Sequence, residues 1–152
     1  MMHMAVIDIA RTNVVTATPD TPVAAVVRKI HEEEVAGLVI VDDGEPLDLV
    51  TARDLLRAVL DDEFDAESTP VEEFIDGDIP TVEADEGMYD TVEVMSERGI
   101  RRLPVVDDGE LVGIISISDV VVLLGMELQH VATAIRSSSP AYERDSFDYY
   151  DG

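Results

Sequence analysis

"VIVDDGEPLDLVTARDLL" (residues 39–56) and "PVVDDGELVGIISISDVV" (residues 104–121) are two versions of one pattern, 65 residues apart. Val41–Glu45 matches Val106–Glu110 at all five positions. The register continues upstream without a gap: Thr16 falls on Thr81, Asp20 on Asp85, Val27 on Val92, Glu32 on Glu97 and Leu38 on Leu103. A gapless match of this length marks an internal duplication, which decides the architecture before any single element is assigned.

Each copy reads as strand, helix, strand, strand, helix, an α/β unit whose apolar strands and amphipathic helices form layers around one core. "NVVTATPD" is a short extended segment, after which Thr21 and Pro22 predict an N-cap and a first-turn proline. Val23, Val26, Val27 and Ile30 follow at helical spacing; in the second copy Met88, Val92 and Met95 take the same face, and Gly99 is suited to stop the helix. The apolar runs on either side of Asp-Asp-Gly predict a hairpin in each copy, because an Asp-Gly pair suits the left-handed turn that joins two twisted strands. These turns lack the ligand spacing of a calcium loop. Leu55, Leu56, Val59 and Leu60, or Val120, Val121 and Leu124, then open the last helix of each copy, the second running to about Arg136. The predicted boundaries are 6–62 for the first motif, 63–72 for an acidic linker, 73–136 for the second motif, and 137–152 for a tail; the joining stretch 61–79 also echoes the N-terminus, Ile9 aligning with Phe74. That tail holds Tyr142, Phe147, Tyr149 and Tyr150, four of only seven aromatic residues.

Composition narrows the function. The 152 residues are 46% apolar, enough for a buried core, yet 34 acidic residues against ten basic ones leave a net charge of −24. Nucleic-acid binding needs clustered Lys and Arg, so this balance excludes it. Carboxylates scattered along a chain that keeps its apolar periodicity point to a charged surface rather than to disorder. The pattern resembles proteins of salt-in halophiles, where multimolar salt shortens the screening length to about 3 Å. No cysteine is present, which removes disulfides and thiolate chemistry. His3, His31 and His130 share no metal or triad spacing, and no glycine-rich phosphate loop occurs, so an enzyme is the weakest class. The apolar run 111–126 is shorter than a membrane span and carries Asp119, so the expectation is a cytoplasmic protein without a membrane partner.

Taken alone, Thr51-Ala-Arg-Asp54 and Ser116-Ile-Ser-Asp119 are capping boxes. In context, "VDDGEPLDLVTARD" and "VDDGELVGIISISD" resemble the hallmark of the cystathionine-beta-synthase (CBS) domain pair, or Bateman module: a strand, an Asp-rich turn, a second strand, then Thr or Ser, two residues, and Asp. The resemblance spans roughly residues 6 to 136. It implies two βαββα motifs packed about a pseudo-twofold axis, with two clefts that in many members bind adenine nucleotides, and association into homodimers. By that resemblance Asp54 and Asp119 accept hydrogen bonds from the two ribose hydroxyls, one aspartate per cleft, which suits a carboxylate with two acceptor oxygens. Thr51, Ser116 and Ser118 then face the ribose–phosphate end, beside helix amides that favour phosphate. Arg101-Arg102 resembles the basic residues of the nucleotide-sensing subunit of AMP-activated kinase and predicts the phosphate side of the Asp119 cleft. The first copy has Ala36-Gly37 there and Asp48 in place of Gly113, with Arg53 as partial compensation, so the Asp119 cleft is expected to bind better. Thr16 and Thr81 are weaker candidates for the base pocket and serve equally well as ordinary strand threonines.

The leading expectation is therefore a regulatory module that binds AMP, ADP or ATP, the last with magnesium, and biases an effector protein on another chain. A structural dimerisation or adaptor module needing no ligand, its clefts empty or filled by the aromatic tail, is the competing class. S-adenosylmethionine and NAD are alternative ligands.

Overall fold

The computed structural model describes residues 4–138, and the predicted tail lies almost wholly outside them. The chain divides at Ile117 into two compact units. The first unit contains the whole first copy of the repeat and the second copy as far as its hairpin. In copy one these are β1 (Thr16–Ala17), α1 (Val23–Glu32), β2 (Gly37–Asp42), β3 (Glu45–Thr51) and α2 (Ala52–Leu60). In copy two they are β4 (Val82–Glu83), α3 (Met88–Arg98), β5 (Arg102–Asp107) and β6 (Glu110–Ser116). α4 (Ile117–Ser138) forms the described part of the second unit.

Each copy builds one three-stranded mixed sheet, β1-β2-β3 or β4-β5-β6, with the outer pair parallel and the hairpin antiparallel. The duplication extends to fine detail. Both hairpins slip register at equivalent places, between Ile40 and Val41 and between Val105 and Val106. Both turns put Asp then Gly in the left-handed region, with φ of 52° and 83° at Asp43-Gly44 and 52° and 81° at Asp108-Gly109. Two consecutive left-handed residues make the turn whose twist matches the strands, so the reading of "DDGE" as a turn holds.

The core is aliphatic. Val23, Val26, Leu38, Ile40 and Leu55 are at most 1% exposed around the first sheet, as are Leu103, Val105 and Ile115 in the second. Two helix details differ from the sequence reading. α1 begins at Val23 with Pro22 at its cap position and no side-chain cap. Thr21 instead uses its hydroxyl to accept the amide of Thr18, closing the turn before the helix. In α3 the residues fully packed are Thr91 and Met95, with Met88 and Val92 half-buried. Thr91 is tolerated there because its hydroxyl donates to the carbonyl of Gly87 at 2.9 Å, leaving no unsatisfied polar atom. Gly99 ends α3 as expected, with φ 64° and its N–H on the carbonyl of Met95.

The leader of each copy packs on the other copy. Residues before β1 form a short 3-10 turn, Val6–Asp8, whose amides reach the second copy: Val6 donates to Glu86 at 2.7 Å and Ile7 to Ala84 at 3.2 Å. Arg11 then pairs with Ile114 through two 2.9 Å bonds. The linker forms the equivalent turn, Val71–Phe74, and bonds the first copy, with Val71 donating to Thr21 at 2.8 Å and Val23 to Thr69 at 3.0 Å. Val6 and Val71 are both fully buried, which makes the echo of the N-terminus in the linker a structural equivalence. The hairpin tips also meet, the amide of Leu111 donating to the carbonyl of Gly44 at 2.9 Å.

Candidate functional site

β3 ends at Thr51 and α2 begins at Ala52, so the Thr-x-x-Asp segment occupies a strand-to-helix corner. The capping box is formed in full. The amide of Asp54 donates to the Thr51 hydroxyl at 3.2 Å, and the amide of Thr51 donates to Asp54 Oδ2 at 2.9 Å. This arrangement satisfies two amides that the helix cannot bond internally, and it fixes the carboxylate at the helix N-terminus. Oδ1 of Asp54 accepts nothing among the described residues, and the side chain is exposed.

Beside this corner lies an open cavity of about 680 Å³. The first copy contributes Asp48, Leu49, Arg53 and Asp54; the segment leading into β4 contributes Asp76, Asp78, Ile79 and Pro80; the end of α3 and the start of β5 contribute Arg98 to Arg102. Arg101 and Arg102 are held by backbone bonding, the carbonyl of Arg101 accepting the amide of Ile117 at 2.8 Å while Arg102 stands opposite Ser116 in the hairpin.

This corrects the expected pairing. Arg101 and Arg102 share a cavity with Arg53 and Asp54, so the Asp54 cleft has cations rather than lacking them. Repeat alignment places a residue within its own copy and is silent on which copy it faces; here the α3–β5 corner of copy two faces the β3–α2 corner of copy one. Four of the chain's ten basic residues line this one cavity, where they balance four aspartates in a chain of net charge −24. None of the four arginines forms a salt bridge among the described residues.

Asp48 does add a carboxylate to this cavity, and the carboxylate is tied to the backbone. Its Oδ1 accepts the amide of Leu49 at 2.8 Å, and its Oδ2 accepts that of Asp76 at 3.2 Å. In the other copy the equivalent of Leu49 is Ile114 and that of Asp76 is Arg11, and these two bond each other directly. The side chain of Asp48 replaces that backbone pairing, whereas Gly113 permits it. A Cβ at Gly113 would lie 3.1 Å from the carbonyl oxygen of Arg11 and 3.3 Å from Cβ of Ala10.

The remaining candidates are dispersed. Thr16 sits in β1, where its carbonyl accepts the Nζ of Lys29 at 2.5 Å, and Thr81 is an exposed residue just before β4; neither lines the cavity. Ser116 ends β6, and Ser118 and Asp119 lie in the first turn of α4, Asp119 half-buried and Ser118 exposed. Arg98, Asp76 and Asp78 were not anticipated as lining residues. Arg98 had a usable signal, since it stands three positions before Arg101 in a chain with few cations, whereas Asp76 and Asp78 were hidden in a generally acidic linker. Among the described residues no group of three or more His, Asp or Glu side chains is placed to hold a metal ion.

Comparison with known proteins agrees with this fold. The CBS domain family model matches residues 6–61 and again residues 71–125. An uncharacterized protein of Methanopyrus kandleri is 32% identical over 122 residues, 79% of this chain; the chain spans 62% of that relative's own length. Among solved structures, a CBS domain pair in complex with 5′-methylthioadenosine and S-adenosyl-L-methionine superposes with a TM-score of 0.71 at 25% identity, covering 83% of this chain and 99% of that one. A CBS domain protein from Pyrobaculum aerophilum complexed with AMP gives 0.66 at 26% identity, covering 76% and 89%. The chain therefore belongs to the CBS domain family: it is a tandem CBS pair, a regulatory module by class.

Proposed function

We propose that the protein binds a phosphate-bearing adenine nucleotide in the Asp54 cavity and transmits its occupancy to an effector on another chain. The observation that carries this reading is the concentration of Arg53, Arg98, Arg101 and Arg102, without salt bridges among the described residues, around one cavity of an otherwise strongly acidic protein. Arginines left unpaired beside a helix N-terminus recognise phosphate oxygens through charge-assisted, bidentate hydrogen bonds. Asp54 supplies the complementary end: Oδ1 takes one ribose hydroxyl, and Oδ2, which has a second lone pair beyond the Thr51 amide, takes the other. A nucleotide held in this way touches both repeats and favours the packing in which the two corners face each other, which is how binding at the cavity biases a partner. Asp119, offset from Asp54 by 65 residues, is the corresponding ribose anchor of the second copy, ranked below Asp54 because the arginines line the Asp54 cavity. The role is regulatory, with no reaction assigned, and the module acts in the cytoplasm.

S-adenosylmethionine carries no phosphate for these arginines to recognise, and the four aspartates of the same lining could face its cationic groups. Calorimetric titration in multimolar KCl with AMP, ADP, ATP with magnesium, NAD and S-adenosylmethionine separates these ligands. The phosphate-bearing nucleotides are expected to bind more tightly, and Asp54→Ala or the double variant Arg101→Gln/Arg102→Gln to weaken them at least tenfold. Absence of binding by every ligand, or affinity unchanged in both variants, overturns the assignment.

A further inference from the structure

The segment before the first strand of each copy meets a hairpin strand, and the two meetings differ by one side chain. In the one on β6, Arg11 and Ile114 form an isolated antiparallel bridge, each donating its amide to the other's carbonyl at 2.9 Å. Their counterparts on β3, Asp76 and Leu49, form none among the described residues. Both amides turn instead to the carboxylate of Asp48, Leu49 to Oδ1 at 2.8 Å and Asp76 to Oδ2 at 3.2 Å. A carboxylate set between two amides needs more room than a direct amide-to-carbonyl bond, so the linker stands off β3 by the depth of that group. The space so made opens into the cavity, with Asp48 and Leu49 on one side and Asp76, Asp78, Ile79 and Pro80 on the other.

We propose that Asp48 is a positioning residue of the Asp54 cavity: a spacer whose carboxylate holds the wall 76–80 away from β3 and keeps the cavity open to its ligand. The proposal rests on the reading of that cavity as a nucleotide site. It reverses the sign that charge alone gives. A carboxylate beside a phosphate-binding cavity repels the ligand, so on Coulomb's law its removal should strengthen binding. Here both oxygens are engaged by backbone amides, which stabilise the negative charge in place, and the side chain contributes its length. The equivalent of Asp48 shows what the spacer prevents. With Gly113 at that position the leader bonds directly to β6, and a Cβ there would already stand 3.1 Å from the carbonyl oxygen of Arg11.

Two variants of the full chain, studied beside the parent in multimolar KCl, separate length from charge. Asp48→Asn keeps the length and one acceptor oxygen but removes the charge; Asp48→Gly removes all three and installs the residue found at position 113. Calorimetric titration with AMP is expected to give Asp48→Asn an affinity within about threefold of the parent. Asp48→Gly is expected to bind about tenfold more weakly, the loss that one or two misplaced ligand contacts produce. A crystal structure of nucleotide-free Asp48→Gly is expected to show residues 49 and 76 joined by two reciprocal backbone bonds, as Ile114 and Arg11 are. Should Asp48→Gly fail to fold, the converse variant Gly113→Asp decides: its crystal structure is expected to show Arg11 parted from Ile114, with the new carboxylate between their amides. Affinity that rises from parent to Asp48→Asn to Asp48→Gly would make Asp48 a charge and overturn the spacer. A wall that keeps its place in Asp48→Gly, or an Arg11–Ile114 bridge that survives in Gly113→Asp, overturns it equally. Absence of AMP binding by the parent and both variants removes the Asp54 reading, and the position of the wall then decides the spacer by itself.

Discussion

Asp54 has two tasks that draw on different atoms. Its amide and Oδ2 complete the cap of α2 with Thr51, and Oδ1 faces outward at the edge of a cavity lined with arginines. The capping pattern and the family pattern occupy the same four residues, so the sequence alone cannot separate a cap from a ligand site; the geometry shows that the cap is made and leaves an acceptor over. Thr51→Ala removes only the hydroxyl cap, which costs about 1 kcal/mol in comparable helices. Chemical denaturation is expected to register that loss while nucleotide affinity changes less than twofold. The Arg101→Gln/Arg102→Gln variant is expected to do the reverse, because neither arginine is part of the cap. If Thr51→Ala instead lost affinity as severely as the arginine variant, the hydroxyl would itself be a ligand contact.

Among the elements, the strands were the most legible. Their apolar runs and Asp-Gly turns carry enough local information to specify hairpins, and β2, β3, β5 and β6 stand where the repeat puts them. Helix surfaces were less legible. The apolar residues assigned to α2 divide, Leu55 being buried while Leu56, Val59 and Leu60 are exposed, and Thr91 takes a core position that its polarity concealed. The copies also diverge where their strands begin. Gly37 of β2 corresponds to Arg102 of β5, and a Cβ at Gly37 would stand 2.5 Å from the carbonyl oxygen of Val50. That contact is with backbone and cannot be relieved by a rotamer change. Gly37→Ala should therefore lower stability by roughly 1–3 kcal/mol, as other overpacking substitutions do. A melting temperature equal to that of the parent protein would show that β2 and β3 can separate locally without loss.

At the scale of the whole molecule, charge dominates. Among the described residues a single salt bridge is present, between the exposed side chains of Arg28 and Glu67, and an exposed pair of this kind contributes little. Nearly all of the described carboxylates thus lie beyond ion-pair distance of a cationic side chain. Lowering KCl from multimolar to about 0.1 M lengthens the screening distance from about 3 Å to about 10 Å and restores repulsion between neighbouring acids. Thermal melting followed by circular dichroism is expected to shift downward by roughly 3 °C for each kcal/mol of repulsion regained. An unchanged melting temperature across that range would remove the halophilic reading of the composition.

What the amino-acid order determined by itself was everything local and everything duplicated: two equivalent sheets, two left-handed Asp-Gly turns, the cap at Asp54 and the stop at Gly99. The turns, the cap and the stop depend on residues within a few positions of one another, and all of these features except the stop at Gly99, whose counterpart is Glu34, were written twice. Tertiary structure decided which copy meets which. The leader Val6–Asp8 docks on copy two, its counterpart Val71–Phe74 docks on copy one, and the α3–β5 corner with Arg101 and Arg102 faces Asp54. A repeat offset conveys equivalence and carries no information about facing, because two like units can in principle pair within themselves or across; the long-range packing of buried Val6 and Val71 resolves it, and with it the cavity in which the cations lie.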